Sequence, residues 1–410
     1  MSVIVIWGTV GCTSARPVST RAVITVDRPV ALADEPVHIR VTHLAPQGRI
    51  VVHSSATAYD GQAWKAKATF AADEDGVVDL TTSRPESGTY HNVDGMGLLS
   101  SMRPPSGDPN LASFAPLYPD LAPSFNVRIT VTAHGRSLAD RTLTRVWAKP
   151  GVRSTDLSLA HDKVVGKLFL PPPGAPRHPG VLAFGGSEGG ISMKFEAALL
   201  ASHGYPTLAL GYFRVPGLPT TLHDIPLEYF ATAARLLAAQ PSTDPAHIIA
   251  IGYSRGSEAA LLLAEDYPQL VHGTVVYSPS SRVIPGFPHG GNAWTYQGQP
   301  VPQNLISLDH LSGPLLSIAG DDDALWASPA SARQIAAQLD AIHDRYPHQT
   351  LIYPGAGHGV GTFPYLPRAI SVINPTTGQK TELGGTRASD AAARQKGWPH
   401  VLSFLANTPH

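Results

Sequence analysis

One cysteine, Cys12, stands in 410 residues, so no intrachain disulfide can form and the body of the chain holds no thiol to act as nucleophile or metal ligand. Charge is equally scarce. Lys and Arg number 30 against 31 Asp and Glu, leaving a net charge of −1, and this balance gives no basic footprint for a nucleic-acid partner. The C-x-x-C, H-E-x-x-H and EF-hand patterns are missing, so neither a metal nor another cofactor is expected. No run of about 20 apolar residues is present to form a transmembrane helix. Glycine and proline are abundant, 38 of each, and 43% of residues are hydrophobic. The chain is too long for one typical domain and rich enough in apolar residues for a large core, so two domains are expected.

The chemistry is concentrated at Gly252–Gly256. The apolar run Ile248–Ile251 predicts a strand and Ser257–Ala264 predicts a helix, with Ser254 at the sharp turn between them. Glycines two positions to either side let backbone pass close to backbone and leave the seryl oxygen exposed, as a nucleophile elbow requires. The pentapeptide alone recurs by chance; its place between strand and helix is what carries the reading, against a plain glycine-rich turn.

A serine hydroxyl needs a histidine base and a carboxylate to orient that base. Both are expected downstream at strand ends. Leu315–Ala319 predicts a strand ending in Gly320, Asp321, Asp322 and Asp323, and Thr350–Tyr353 predicts another ending in a loop that carries His358 between glycines. Asp323 is the preferred acid, 69 residues after Ser254 and 35 before His358. Asp321 and Asp322 are read as solvated loop residues or caps of a helix starting near Ser328. Of 18 histidines, only His358 has this setting; the rest are read as ordinary surface or core residues.

After the strand Val181–Phe184 comes Gly185–Gly190, ahead of a helix expected over Lys194–His203. Its amides, at Gly186 and Ser187, together with the N–H of Arg255, are candidates for an oxyanion hole. A phosphate loop is the competing reading, but no Gly-Lys-Ser/Thr follows.

Residues 21 to 148 read as all-β, with strands over Val23–Val26, Val37–Val41, Arg49–His53, Trp64–Phe70, Gly76–Leu80 and Asn126–Val131. Their spacing suits a seven-stranded sandwich. From about Asp156, strands alternate with helices, which implies a doubly wound, mainly parallel sheet. The joint is expected at Trp147–Gly151, giving domains of 21–148 and 149–410.

Together these stretches resemble the acyl-CoA thioesterase and bile acid-CoA:amino acid N-acyltransferase family from about residue 21 onward. The first domain carries Asp34–Val37, Leu44–Pro46 and Gly95–Leu99; the second carries Gly166–Pro172, Leu227–Phe230, Gly252–Gly256, Asp322 and Asp323 with Trp326, Gly357 with His358, Pro364 with Tyr365, and Gly384 and Gly385 followed by Ala391 and Trp398. The resemblance implies an immunoglobulin-like domain packed on an α/β-hydrolase domain, with Ser254, Asp323 and His358 on the triad positions. It implies cleavage of an acyl-CoA thioester through an acyl-Ser254 intermediate. The acyltransferase branch is associated with cysteine as nucleophile, so serine favours hydrolysis over transfer to an amine. A carboxylesterase acting on oxygen esters or lactones, an N-acyltransferase and a non-enzymatic scaffold remain alternatives.

Two departures bear on specificity. The Gly185–Gly190 loop is one residue longer than in the animal thioesterases, with Ser187 and Glu188 set into the glycine run. The stretch from Ser278 to Leu311 is shorter. Within it, Trp294 and Tyr296 are candidates to line a hydrophobic acyl slot, against ordinary loop packing. The first domain is expected to shape one rim of the cleft through Gly95–Leu99. At the N-terminus, Val3–Trp7 leading to Cys12 resembles a lipoprotein cleavage site without its basic region, so residues 1–20 are expected to be a lipoprotein-type signal or a disordered terminus, and a lipid anchor at Cys12, with substrates met outside the cytoplasm, is an expectation beside a cytoplasmic one. Asn407–His410 carries no peroxisomal tripeptide.

Overall fold

The computed structural model describes residues 22–373 and 378–408; Cys12 lies outside them. Two β-sheets form the N-terminal layer. One has six strands in the order Val30–Leu32, Arg136–Val146, Ser124–Ala133, Arg49–Thr57, Ala63–Ala71 and Ser87–Gly88; the other has three, Val23–Val26, Ile39–Thr42 and Val78–Asp79. The long strands alternate buried and exposed residues, the period-2 pattern of a sheet with one face in the core. Val52, Ala68, Phe70, Val127, Ile129 and Val131 supply that core. The seven strands expected become nine. The largest one missed, Arg136–Val146, is rich in charge because five of its eleven residues face solvent.

The second half is built on one eight-stranded sheet. Its strands are β1 (Arg153–Leu157), β2 (Val165–Leu170), β3 (His178–Phe184), β4 (Thr207–Gly211), β5 (Thr243–Tyr253), β6 (Thr274–Tyr277), β7 (Leu315–Gly320) and β8 (His348–Tyr353). Their spatial order is β1-β2-β4-β3-β5-β6-β7-β8. β2 runs antiparallel to both neighbours, and β4, β3 and β5 to β8 are parallel to one another. This is the α/β-hydrolase arrangement. The central strands are buried on both faces and read as near-continuous apolar runs, as parallel strands covered by helices do.

The covering helices are α1 (Lys194–Ser202), α2 (Leu227–Ala238), α3 (Arg255–Asp266), α4 (Ser328–Ala341) and α5 (Arg387–Asn407). α2 shows why they lie on the sheet: Leu227, Phe230, Ala231, Ala234 and Leu237 recur at three- and four-residue spacing and are buried. Helices α1 and α5 cover the sheet face that meets the N-terminal layer, and the apolar interior runs unbroken from one half to the other. Trp147, fully buried at the joint, packs on Phe125, Phe195 and Phe363 with ring centroids 4.6 to 5.4 Å apart. Asp34 of the N-terminal layer accepts hydrogen bonds from His203 and from the Trp398 indole, both at 2.7 Å.

Gly95–Leu99 does not form a rim. Gly97–Ser100 is a single helical turn, and Leu98 and Leu99 are buried in the β layer, where two consecutive leucines are better placed than at a wet cleft. The N-terminal layer reaches the cleft instead through Ser113, whose hydroxyl accepts the Ala369 N–H at 2.9 Å.

Candidate active site

β3, β5, β7 and β8 end on the same edge of the sheet, and the loop after each carries part of the site. Ser254 follows β5 with φ 56° and ψ −122° and stands at the N-cap of α3. Both elbow glycines are dictated by contact. A methyl group at Gly252 would lie 2.2 Å from the Gly256 carbonyl oxygen, and one at Gly256 would lie 2.4 Å from that of Gly185. The strained turn is held by the Ser254 N–H, which donates to the Tyr277 carbonyl at 2.9 Å.

His358 sits on the loop after β8. Its Nε2 is 2.9 Å from Ser254 Oγ and its Nδ1 is 2.8 Å from Asp323 Oδ2. The ring lies between Tyr253 and Trp326, with centroids 5.5 and 5.2 Å away. Its backbone is fixed on both sides: the carbonyl accepts from Ser278 Oγ at 2.7 Å and Tyr253 Oη at 3.1 Å, and the N–H donates to Leu383. Two residues of α5 hold the flanking glycines, Asp390 accepting the Gly357 N–H and Arg394 donating to the Gly359 carbonyl. Burial raises the Asp390 carboxyl above the ordinary aspartate range and lowers the Arg394 guanidinium to about 10.

Of the three aspartates after β7, only Asp323 meets the imidazole. Its side chain is fully buried and also accepts the Leu325 and Trp326 N–H groups and the Ser328 hydroxyl. Asp321 and Asp322 cap no helix. They brace neighbouring loops, Asp321 accepting the Gly355 N–H and Asp322 the Gly385 N–H at 3.0 Å.

The three candidate oxyanion donors fall into two groups. Arg255 is the first residue of α3, so its N–H has no intrahelical acceptor. Its guanidinium is turned away to Glu258 and to the carbonyls of Ile284 and Pro285. Ser187 lines the cavity. Gly186 packs directly on Ser254, but its N–H is engaged, 3.0 Å from both carboxylate oxygens of Glu188. The sequence placed Glu188 in the loop without showing that its side chain folds back.

Over Ser254 and His358 opens a cavity of about 560 Å³, walled by Met193, Phe287, Leu325, Phe363 and Leu383, with Arg214 and Arg368 among its polar residues. Trp294 and Tyr296 do not line it. The strand Trp294–Tyr296 pairs with Ile225–Pro226, away from Ser254. There the Trp294 indole is fully buried against Tyr212 and Phe230 and donates to Glu258 Oε2 at 3.0 Å. Tyr296 stands over Tyr267 in a separate depression. Much of the apolar wall comes from Phe363, Ala369, Val372, Ile373 and Leu383, whose lack of periodicity gave no signal in the sequence. At one side Glu196 is buried beside the Tyr277 hydroxyl, and burial pushes its carboxyl up to about 8.

Among the described residues, no helix is long and apolar enough to cross a membrane, and no cluster of His, Cys, Asp and Glu could hold a metal ion.

Residues 34–158 match the family model described as the acyl-CoA thioester hydrolase/BAAT N-terminal region, and 291–408 match the BAAT/acyl-CoA thioester hydrolase C-terminal model. The chain is 30% identical to acyl-coenzyme A thioesterase 6 of Mus musculus, covering 91% of this chain and 93% of that one. It is also 30% identical to acyl-coenzyme A amino acid N-acyltransferase 2 of Rattus norvegicus and to bile acid-CoA:amino acid N-acyltransferase of Mus musculus, in each case over 92% of this chain and 95% of the relative.

Proposed function

The chain belongs to the acyl-CoA thioesterase and bile acid-CoA:amino acid N-acyltransferase family, and from that membership and the geometry at Ser254 we propose that it is a serine hydrolase that cleaves acyl-CoA thioesters to free acid and CoA. The observation that carries the reading is the unbroken line from Asp323 through His358 to Ser254, at 2.8 and 2.9 Å. Asp323 accepts Nδ1–H and so leaves Nε2 as the base facing the seryl hydroxyl. His358 takes the Ser254 proton as Oγ attacks the thioester carbonyl. The oxyanion is met by the Arg255 N–H and an amide of the loop after β3. The C–S bond then breaks, CoA departs as the thiol with the proton from His358, and the acyl group stays on Ser254. Water, deprotonated by the same imidazole, releases the acid.

Serine at the nucleophile favours hydrolysis because an oxygen ester is less reactive toward an amine than a thioester is. The mostly apolar wall of the cavity suits an acyl chain. A fluorophosphonate probe that labels Ser254, fails on His358→Ala and competes with acyl-CoA tests this; absence of labelling on folded protein contradicts it.

In the same reading, 21–148 form an immunoglobulin-like domain and 149–410 the catalytic one. What supports this division is the pair of β-sheets before Trp147 and, after it, the eight-stranded mixed sheet with two small sheets beside it.

A further inference from the structure

Glu188 has an unusual position for an exposed acid. Its side chain folds back onto its own loop, with both oxygens on the Gly186 N–H. A methyl group on Gly186 would stand 3.1 Å from Glu188 Oε2, 3.1 Å from Ser254 Oγ and 2.6 Å from Ser254 Cβ. Thus the carboxylate and the nucleophile border the same small space. A methyl group at Gly185 would come within 2.0 Å of Glu188 Oε1, so the inward fold also uses the room left by both glycines. Among the described residues no cation forms an ion pair with this carboxylate.

A carboxylate on this donor does what a tetrahedral oxyanion would do, and its charge opposes a second negative charge beside it. The two cannot share the site. Arg214 offers an alternative partner. It lines the same cavity, and its Cβ, Cγ and Cδ run 2.9 to 3.1 Å from where a Gly189 side chain would begin, one residue beyond Glu188. The guanidinium makes no hydrogen bond or ion pair to another described residue, and both Arg214 and Glu188 are exposed, so neither side chain is held by burial.

We propose that Glu188 is a displaceable latch: in the resting protein it occupies the Gly186 amide, and substrate binding moves it onto Arg214, freeing that amide for the oxyanion. The inference rests on Ser254 being the nucleophile but not on the leaving group being CoA. It makes Gly186 a donor only after displacement, with Arg255 the donor already free.

An alkyl trifluoromethyl ketone tests it, since addition of Ser254 Oγ places an alkoxide where the substrate oxyanion forms. Binding is measured for wild type, Glu188→Ala, Glu188→Gln, Arg214→Ala and the Glu188→Ala/Arg214→Ala double variant, with fluorophosphonate labelling reporting a competent Ser254 in each. The latch predicts at least tenfold tighter ketone binding in Glu188→Ala and a smaller gain in Glu188→Gln, which keeps an acceptor but loses the charge. Arg214→Ala is expected to weaken binding in the wild-type background and to have no effect once Glu188 is gone. Glu188→Ala that labels normally but binds the ketone no tighter, or an Arg214→Ala loss of equal size in both backgrounds, overturns it. If wild type labels yet cleaves no thioester, the substrate assignment fails while the ketone comparison still judges the latch.

Discussion

Three consecutive aspartates differ in what each oxygen touches. Asp323 alone reaches His358, whereas Asp322 holds the Gly385 amide. Asp323→Asn is therefore expected to lower kcat by about 10⁴-fold, as loss of the orienting carboxylate does elsewhere, while Asp322→Asn leaves kcat within a few-fold and lowers the melting temperature. Steady-state kinetics and thermal unfolding of the two variants check this. Trp294→Phe tests a different assignment. It removes a buried donor from Glu258, which is expected to destabilise by about 1–3 kcal/mol with KM for acyl-CoA unchanged; a raised KM for long acyl chains with normal stability returns Trp294 to the acyl slot. Ser254, Asp323 and His358 were legible in the sequence because each follows an apolar strand and a glycine. Trp294 and Tyr296 were not, because an aromatic residue in a loop has no periodicity to tell pocket wall from core.

At the scale of elements, the elbow is a three-way contact of β5, α3 and the loop after β3. Gly256 is where they meet: its missing side chain lets the Gly185 carbonyl approach. Gly256→Ala is expected to push that loop away from Ser254 and cost roughly a hundredfold in kcat/KM, the usual effect of a displacement on the order of 1 Å at a reacting centre, together with a lower melting temperature. Near-normal kinetics would mean that the loop supplies no donor. The parallel strands were readable from continuous apolar runs such as Val181–Phe184, and Lys194–Ser202 ends one residue before its expected boundary. Arg136–Val146 was hidden by its solvent-facing charges, and the role of α5 in holding the His358 loop was hidden because Asp390 and Arg394 act across a tertiary contact with no local motif.

For the whole molecule, the apolar interior runs on from the N-terminal sheets into the layer of α1 and α5. Cutting at residue 150 removes Trp147 and uncovers Phe195 and Phe363, the latter a wall of the cavity. A 150–410 fragment is expected to be insoluble or inactive; recovering it folded with full turnover contradicts this. Stability against pH also belongs to this scale. Burial pushes Glu196 up to about 8 and Glu258 up to about 7, from ordinary values of 4.5. Between those values the unfolded chain has released protons that the folded chain still holds, so stability falls as pH rises from about 5 to 8, by at most about 1.4 kcal/mol per pH unit for each group. Glu196→Gln is expected to flatten that decline in a melting series; an unchanged slope would place its ionisation elsewhere. The most direct test of the central claim is CoA thiol release from short to long acyl-CoAs, with and without glycine or taurine, using Ser254→Ala as control and product mass as readout. Ser254-dependent release with free acid as product in every mixture is expected of a thioester hydrolase; an amide product, or no release from folded, probe-reactive protein, is not compatible with one.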